Sequence, residues 1–228
     1  MLRRPDGSIS SLNTSTLPAF RPSFDVVAMA ASLGGLDALS CVLGGLPANF
    51  PAPILVVQHL SARFPSYLVE LLSRRCALGV TWARPGQLLL RGNVYVAPAD
   101  QHLLVGIARS VRLSSEPRVQ FARPSADVLF ESVAAVYRER AIAVVLTGTR
   151  HDGASGALAI KRAGGRVLAQ DAATSVAFGM PEAAIATGCV DFVLPLPTIA
   201  PALVALTMAP GAAALLERSR VRRALALP

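Results

Sequence analysis

The chain has 228 residues, of which 53% are hydrophobic and 16% are charged. This length and composition suit one large domain with an ample core and exclude a chain that is disordered throughout. The three cysteines form no C-x-x-C pair, which argues against a metal site or a disulfide framework and favours a cytoplasmic location. No apolar segment follows the polar first residues, so we expect no signal peptide.

Arginine supplies almost all of the positive charge. The formal net charge is +8, and Lys161 is the sole lysine. Because arginine suits bidentate contacts with carboxylates and phosphates, the charge predicts an acidic protein, an anionic lipid or a nucleic acid as partner. A gene of high GC content would produce the same arginine excess without any such function, and both interpretations stay open.

Both ends differ from the middle of the chain. Residues 1–23 are rich in Ser, Thr and Pro and predict a disordered tail or linker. Residues 209–228 form a basic extension, which predicts either a solvated helix or an arm that docks on an acidic partner. The uncharged stretch 192–216 is long enough to span a membrane, but four prolines divide it and favour a buried helix. Residues 24–208 are therefore predicted to form one domain.

Apolar runs alternate with helical patterns between these ends. Continuous β-branched or apolar runs predict buried strands at 26–31, 54–58, 141–147, 166–169 and 191–194. Periodic segments predict helices at 34–43, 65–76, 125–137, 154–163 and 181–187. This alternation predicts an α/β fold with a doubly wound, mostly parallel sheet and three Rossmann-like layers.

Four further short runs have no helical segment between them. They cover residues 80–83, 94–97, 102–105 and 111–113. These runs are typical of hairpins or edge strands, and we predict an antiparallel extension there.

Three residues with hydrolytic chemistry follow three of the predicted buried strands. Ser32 and His59 come directly after their strands, and Asp152 stands in the loop after the strand at 141–147. The carboxyl ends of parallel strands meet at one edge of a sheet. The sequence therefore predicts a Ser-His-Asp triad at this edge.

Each of these residues also has a plainer interpretation. The small residues around Ser32 are typical of a nucleophile elbow, but also of a helix cap or a phosphate-binding loop. A lone histidine at a strand end is often structural, and His102 and His151 are alternative bases. Asp152 can cap the helix that follows it, in which case Asp100 and Asp127 are the next candidate carboxylates.

The chain resembles the catalytic domain of the CheB family, the chemotaxis protein-glutamate methylesterases. The resemblance extends over about residues 25–207 and rests on seven motifs in the family's order. They are AASLGG (30–35), VVQH (56–59), VYVAP (94–98) with HL (102–103), RPSADVLF (123–130), LTGTRHDGA (146–154), AQD (169–171) and FGMP (178–181).

The resemblance implies a serine hydrolase without metal or cofactor, in which Ser32, His59 and Asp152 are nucleophile, base and orienting carboxylate. Its substrate would be a glutamyl methyl ester, or a glutamine to be deamidated, on an acidic helix of a methylated chemoreceptor. We expect a monomer with no membrane span and no nucleic-acid partner.

Further residues are expected to line this site. We expect the backbone N–H groups of Leu33, Gly34 and Thr149 to form the oxyanion hole, and Met180 to lie beside it.

Two motifs depart from the family's usual pattern, GASTGG for the elbow and TGMGxDG for the loop. Ala30 and Leu33 replace a glycine and a threonine, and Thr149 and Arg150 replace a methionine and a glycine. These changes leave the triad intact but bear on rate and substrate choice.

Two expectations remain about regulation and about rival functions. Only residues 1–25 precede the first predicted strand, so we expect a stand-alone catalytic domain without the family's receiver domain. A binding module that has lost activity is one rival interpretation. A phosphate- or nucleotide-binding domain is another, although the chain has no G-x-G-x-x-G and no P-loop lysine.

Overall fold

The computed structural model describes residues 23–61 and 65–208. Its strands are β1 (Val26–Ala31), β2 (Ile54–Gln58), β3 (Gly79–Trp82), β4 (Asn93–Val96), β5 (His102–Val105), β6 (Val111–Ser114), β7 (Ala141–Val145), β8 (Arg166–Gln170) and β9 (Phe192–Leu194). Its α-helices are α1 (Gly35–Gly44), α2 (Leu68–Ser73), α3 (Ala126–Tyr137), α4 (Ala154–Arg162), α5 (Gly179–Ala186) and α6 (Leu196–Met208). Most of the predicted tail and all of the basic extension lie outside the described residues.

Seven of these strands form one parallel sheet, in the order β3-β4-β2-β1-β7-β8-β9. Alternate residues of β1 enter two separate apolar layers: Val26 and Ala28 face one, Val27 and Met29 the other. The first layer lies under α3, α4 and α5, and the second under α1, α2 and α6. The predicted three-layer α/β fold is therefore confirmed.

The boundaries of the predicted elements differ from the structure where local geometry intervenes. β1 and β2 match their predicted ranges, whereas α2 is only Leu68–Ser73, shorter than the predicted 65–76. β7 ends at Val145, two residues before its predicted end. α5 begins at Gly179 and holds Pro181 in its first turn, where a proline costs no helical hydrogen bond.

The prediction of an antiparallel extension over residues 80–113 is wrong for its first half. β3 and β4 pair in parallel, from Gly79 opposite Asn93 to Trp82 opposite Val96, and extend the main sheet. The connection between them crosses over without forming a helix and bridges to the β5–β6 hairpin through Leu88. β5 and β6 alone pair antiparallel, as a separate two-stranded sheet.

The uncharged C-terminal stretch forms the end of the described fold. α6 packs Ile199, Leu203 and Leu206 into the second apolar layer and contains Pro201. None of the helices in residues 23–61 and 65–208 is both long and apolar enough to cross a membrane.

Candidate active site

Ser32 and His59 leave the sheet side by side. They follow Ala31 and Gln58, which are register partners in the adjacent strands β1 and β2. The backbone N–H of His59 donates to the carbonyl of Ala31 at 3.0 Å, which extends the ladder to the rim. Both side chains line a cleft of about 410 Å³ above the start of α1.

The backbone at Ser32 is held in a tight elbow. Gly34 has a φ of +78°, and a Cβ there would lie 2.7 Å from Val176. A Cβ on Gly35 would overlap the Gln58 amide, whose Nε2 donates to the carbonyl of Ser32 at 2.8 Å. Glycine at both positions therefore follows from the turn and from the close approach of Gln58.

Free hydrogen-bonding groups surround the elbow. Among the described residues, no acceptor takes the N–H of Leu33 or Gly34, and no group bonds the Ser32 hydroxyl. Because these N–H groups stand at the start of α1, they can stabilise a developing negative charge. A hydrogen bond from Ser32 to the imidazole is not formed here, and such bonds often tighten only when substrate binds.

Met180 and Thr149 are the other two residues that were expected to line the site. Met180 is fully buried against Gly148: a Cβ on that glycine would overlap the Met180 sulfur and lie 2.9 Å from the Ser32 Cβ. Thr149 is exposed and lines a second cleft, together with His59 and Asp152.

His59 is hydrogen-bonded to Asp152 through Nε2, at 2.7 Å from Oδ2. Asp152 is 2% exposed, and its carboxylate accepts three more bonds from the start of α3. The donors are the Ser125 hydroxyl at 2.7 Å and the N–H groups of Ala126 at 2.7 Å and Asp127 at 3.1 Å. This arrangement holds the carboxylate, and through it the imidazole, in one orientation.

These bonds also set the charge of Asp152. Burial by itself opposes ionisation, but the bonds from His59 and the start of α3 outweigh burial and keep the pKa of Asp152 below its usual value. The carboxylate is therefore ionised at neutral pH and can stabilise a positively charged imidazole.

The alternative bases and carboxylates have other partners. The ring nitrogens of buried His102 bond the Ser125 N–H at 3.2 Å and the Pro117 carbonyl at 3.1 Å, so His102 fixes the chain before α3. Exposed His151 bonds the Gln120 side chain at 2.6 Å. Within the described chain, neither His102 nor His151 contacts a carboxylate.

Two acidic residues named as alternatives are likewise engaged elsewhere. Asp100 pairs with Arg123, whose Nη2 lies 2.8 Å from Oδ1. Asp127 accepts the N–H groups of Gly153 and Gly156 at the start of α4, at 3.0 and 2.8 Å.

The second cleft also borders His59 and has a volume of about 550 Å³. Its lining includes Thr149, Arg150 and Asp152 together with residues 118 and 120–124. His59 lines both clefts, so the two spaces adjoin at this side chain.

Several residues that support this arrangement were not predicted to have that role. Ser125 stands out in the sequence only as part of a motif and Asp127 only as an alternative catalytic carboxylate, although Ser125 binds Asp152 and Asp127 binds the helix after it. Gln58 and Thr147 hold the carbonyls of Ser32 and Leu33. No local signal identifies them, because their partners lie far away in sequence.

Within the residues that the structure describes, His, Cys, Asp and Glu side chains form no group of three or more that could hold a metal ion.

Comparison with known proteins identifies relatives of this fold and site. The family model described as CheB methylesterase matches residues 27–203. A protein-glutamate methylesterase/protein-glutamine glutaminase of Moorella thermoacetica is 46% identical over 86% of this chain and 47% of its own length. A second, from Anaeromyxobacter dehalogenans, is 48% identical over 83% of this chain and 55% of its own. The chain thus spans about half the length of these curated relatives.

A solved structure agrees with the sequence relatives. The crystal structure of the Thermotoga maritima CheB methylesterase catalytic domain superposes with a TM-score of 0.77 at 37% identity. The match covers 79% of this chain and 97% of that one. The shared fold therefore includes nearly all of the Thermotoga catalytic domain.

Proposed function

This chain belongs to the CheB methylesterase family, and we propose that it is a serine hydrolase that converts glutamyl methyl esters of a chemoreceptor to glutamate. The observation that carries the proposal is the 2.7 Å bond between His59 and buried Asp152, at the edge where β1 presents Ser32. The names of its relatives, which describe a methylesterase and a glutaminase, support the same reaction.

Ser32 attacks the ester carbonyl while His59 takes its proton. Since Nε2 of His59 is bonded to Asp152, the base is Nδ1, the ring nitrogen that remains. Asp152 favours the tautomer with the proton on Nε2 and stabilises the imidazolium that forms. The imidazolium then returns the proton to the leaving methoxide.

Backbone donors stabilise the oxyanion of the tetrahedral intermediate. The N–H groups of Leu33 and Gly34 fill this role at the start of α1, with Thr149 as a further donor. Methanol leaves, and water activated by His59 hydrolyses the Ser32 acyl-enzyme to release glutamate. Deamidation of glutamine follows the same steps with ammonia as the leaving group.

The substrate is an acidic helical segment of a methylated chemoreceptor, and the protein works as a cytoplasmic monomer without a nucleic-acid partner. The net charge of +8 supports an acidic protein substrate. A phosphate ligand at the elbow is disfavoured, because the described lining of that cleft holds Asp37 and no Arg or Lys.

Labelling with a fluorophosphonate tests the nucleophile. We expect mass spectrometry to find the adduct on Ser32, and we expect none in Ser32→Ala. The labelled protein should also lose methanol release from a methylated receptor fragment. If the chain were a binding module without activity or a phosphate-binding domain, Ser32 would stay unmodified and neither the wild type nor Ser32→Ala would release methanol.

A further inference from the structure

The second cleft beside His59 carries more basic groups than acidic ones. Its described lining includes Arg118, Arg123 and Arg150 against Asp100 and Asp152. Asp152 is hydrogen-bonded to His59 and to the start of α3, and within the described residues it forms no ion pair with these arginines. The free charge of the cleft therefore depends on how each arginine is paired.

Four hydrogen bonds within the protein engage the guanidinium of Arg123, which has five N–H donors. Its Nε and Nη2 bond Asp100 at 3.0 and 2.8 Å, and its Nη1 bonds the carbonyls of Ser115 and Glu116 at 2.7 and 3.0 Å. Arg118 shares the same Asp100 oxygen at the longer distance of 3.7 Å, and 62% of its side chain is exposed. The Asp100 carboxylate thus contacts two arginines and pairs mainly with Arg123.

Arg150 has no carboxylate partner in the part of the chain that the structure describes. Its guanidinium carbon lies 5.4 Å from the ring centroid of Phe121, an aromatic side chain that is 78% exposed. Stacking on an aromatic ring orients a guanidinium while it leaves the N–H edge free. Arg150 therefore presents an oriented, unpaired donor edge at the cleft.

The backbone at Arg150 is unusual for this residue. Its φ is +67°, a left-handed conformation that glycine adopts more readily. Glycine would adopt this conformation without strain, so the backbone itself does not call for arginine. A conformational cost at an exposed position is consistent with a functional role of the side chain.

We propose that Arg150, held by Phe121 and assisted by Arg118, binds a carboxylate of the substrate polypeptide that flanks the ester, so that it determines specificity. This inference rests on the proposed function and names the chemistry that the second cleft selects. Because His59 lines this cleft as well as the elbow, a polypeptide can occupy both at once. Guanidinium and carboxylate pair through two parallel hydrogen bonds.

Two helical peptides test the proposal, each with one glutamyl methyl ester. One has glutamate three and four residues to either side of the ester, and the other has glutamine there, since these positions share a helix face. We expect wild-type kcat/KM to be at least about tenfold higher for the glutamate peptide, because one hydrogen bond to a charged group contributes about that factor. This ratio should fall with added salt.

Arg150→Gly should lower the ratio towards one, and the variant should fold because glycine suits the backbone there. Arg150→Lys should retain part of the ratio. Arg162→Ala is the matched control, because it removes the same charge from the exposed end of α4. It should keep the wild-type ratio. A ratio near one in the wild type, or an unchanged ratio in Arg150→Gly, would overturn the inference.

Binding measurements separate this inference from the proposed function. Fluorescence anisotropy of both labelled peptides with Ser32→Ala should show the same preference, and a second substitution at Arg150 should remove it. If the wild type releases no methanol but this preference persists, the proposed hydrolase fails and the carboxylate site stands. If methanol is released from both peptides without preference in rate or binding, the proposed hydrolase stands and the carboxylate site fails.

Discussion

Asp127 and Asp152 cap each other's helices. The carboxylate of Asp152 accepts the N–H groups of Ala126 and Asp127 at the start of α3. The carboxylate of Asp127 accepts those of Gly153 and Gly156 at the start of α4, which begins two residues after Asp152. The two buried carboxylates thus tie both helix ends together and fix the group that holds His59.

Burial raises the pKa of both carboxyl groups, but their net pKa shifts have opposite directions. Burial raises the pKa of Asp127, and the nearby charge of Asp152 adds to this, against the hydrogen bonds from α4. The pKa of Asp152 is lowered because His59 and the start of α3 outweigh burial. Asp152 thus carries its charge more readily than Asp127.

Ser32→Ala should abolish methanol release, with a loss of about 10⁶ in kcat as for other serine nucleophiles. The change removes a hydroxyl that makes no hydrogen bond within the described residues, so the fold should persist. Kinetics and circular dichroism of the purified variant check both expectations. Near wild-type methanol release from the variant would show that another residue is the nucleophile.

His59→Gln should be as inactive as Ser32→Ala, because glutamine cannot accept and return the proton. His151→Gln is the matched control, since His151 is exposed and bonds only Gln120. It should retain methanol release within a few-fold of wild type. If His151→Gln were the inactive variant instead, the assignment of the base to His59 would be wrong.

His102→Gln should affect stability rather than chemistry. His102 is buried and both of its ring nitrogens are bonded, so the variant should lose about 1–3 kcal/mol of unfolding free energy. Urea unfolding measures this loss. A stable but inactive variant would point to a direct catalytic role for His102.

Asp152→Asn should lower kcat by about 10⁴, as in a serine protease, because the amide favours the wrong tautomer of His59. It should also destabilise the fold by about 1–3 kcal/mol at pH 7. Either orientation of the amide sets its NH₂ group against a backbone N–H of Ala126 or Asp127.

The stability loss in Asp152→Asn should depend on pH with a defined sign. Because the pKa of Asp152 is lowered, its carboxylate stabilises the fold above the ordinary value of about 3.9. That contribution is lost as the pH falls through the lowered folded-state pKa. Urea unfolding should therefore show the gap between wild type and variant narrowing in acid. A gap that widens would contradict this sign.

Asp127→Asn and Asp127→Ala should differ. Asparagine keeps an oxygen for Gly153 and Gly156, whereas alanine leaves both N–H groups unpaired and should cost about 1–3 kcal/mol. Because the pKa of Asp127 is raised, its ionisation destabilises the fold progressively as the pH rises from the ordinary value of about 3.9 to the raised pKa. Asp127→Asn should thus equal or exceed wild-type stability at pH 7, an advantage that shrinks as the pH falls below the raised pKa and is gone below the ordinary value.

Unfolding in urea and methanol release together test this role. Asp127→Ala should also lower kcat, because Asp152 loses its anchor at α4, and Asp127→Asn should restore most of it. Equal stability of both Asp127 variants would mean that the carboxyl oxygen does not cap α4.

The amino-acid sequence by itself determined the elements whose signals are local. Continuous apolar runs identified β1 and β2 to the residue, and small residues and glycines identified the elbow at Ser32. It also indicated that Ser32, His59 and Asp152 share one edge, because parallel strands end together.

Only the tertiary structure decided features that join distant residues. The direction of β3 and β4 depends on how a connection without a helix crosses the sheet, and periodicity does not encode that path. The nitrogen of His59 that meets Asp152, the helix caps exchanged by Asp127 and Asp152, and the position of Phe121 under Arg150 are all such features. Each partner lies far away in the chain, and only the packed sheet and helices bring it within hydrogen-bonding or stacking distance.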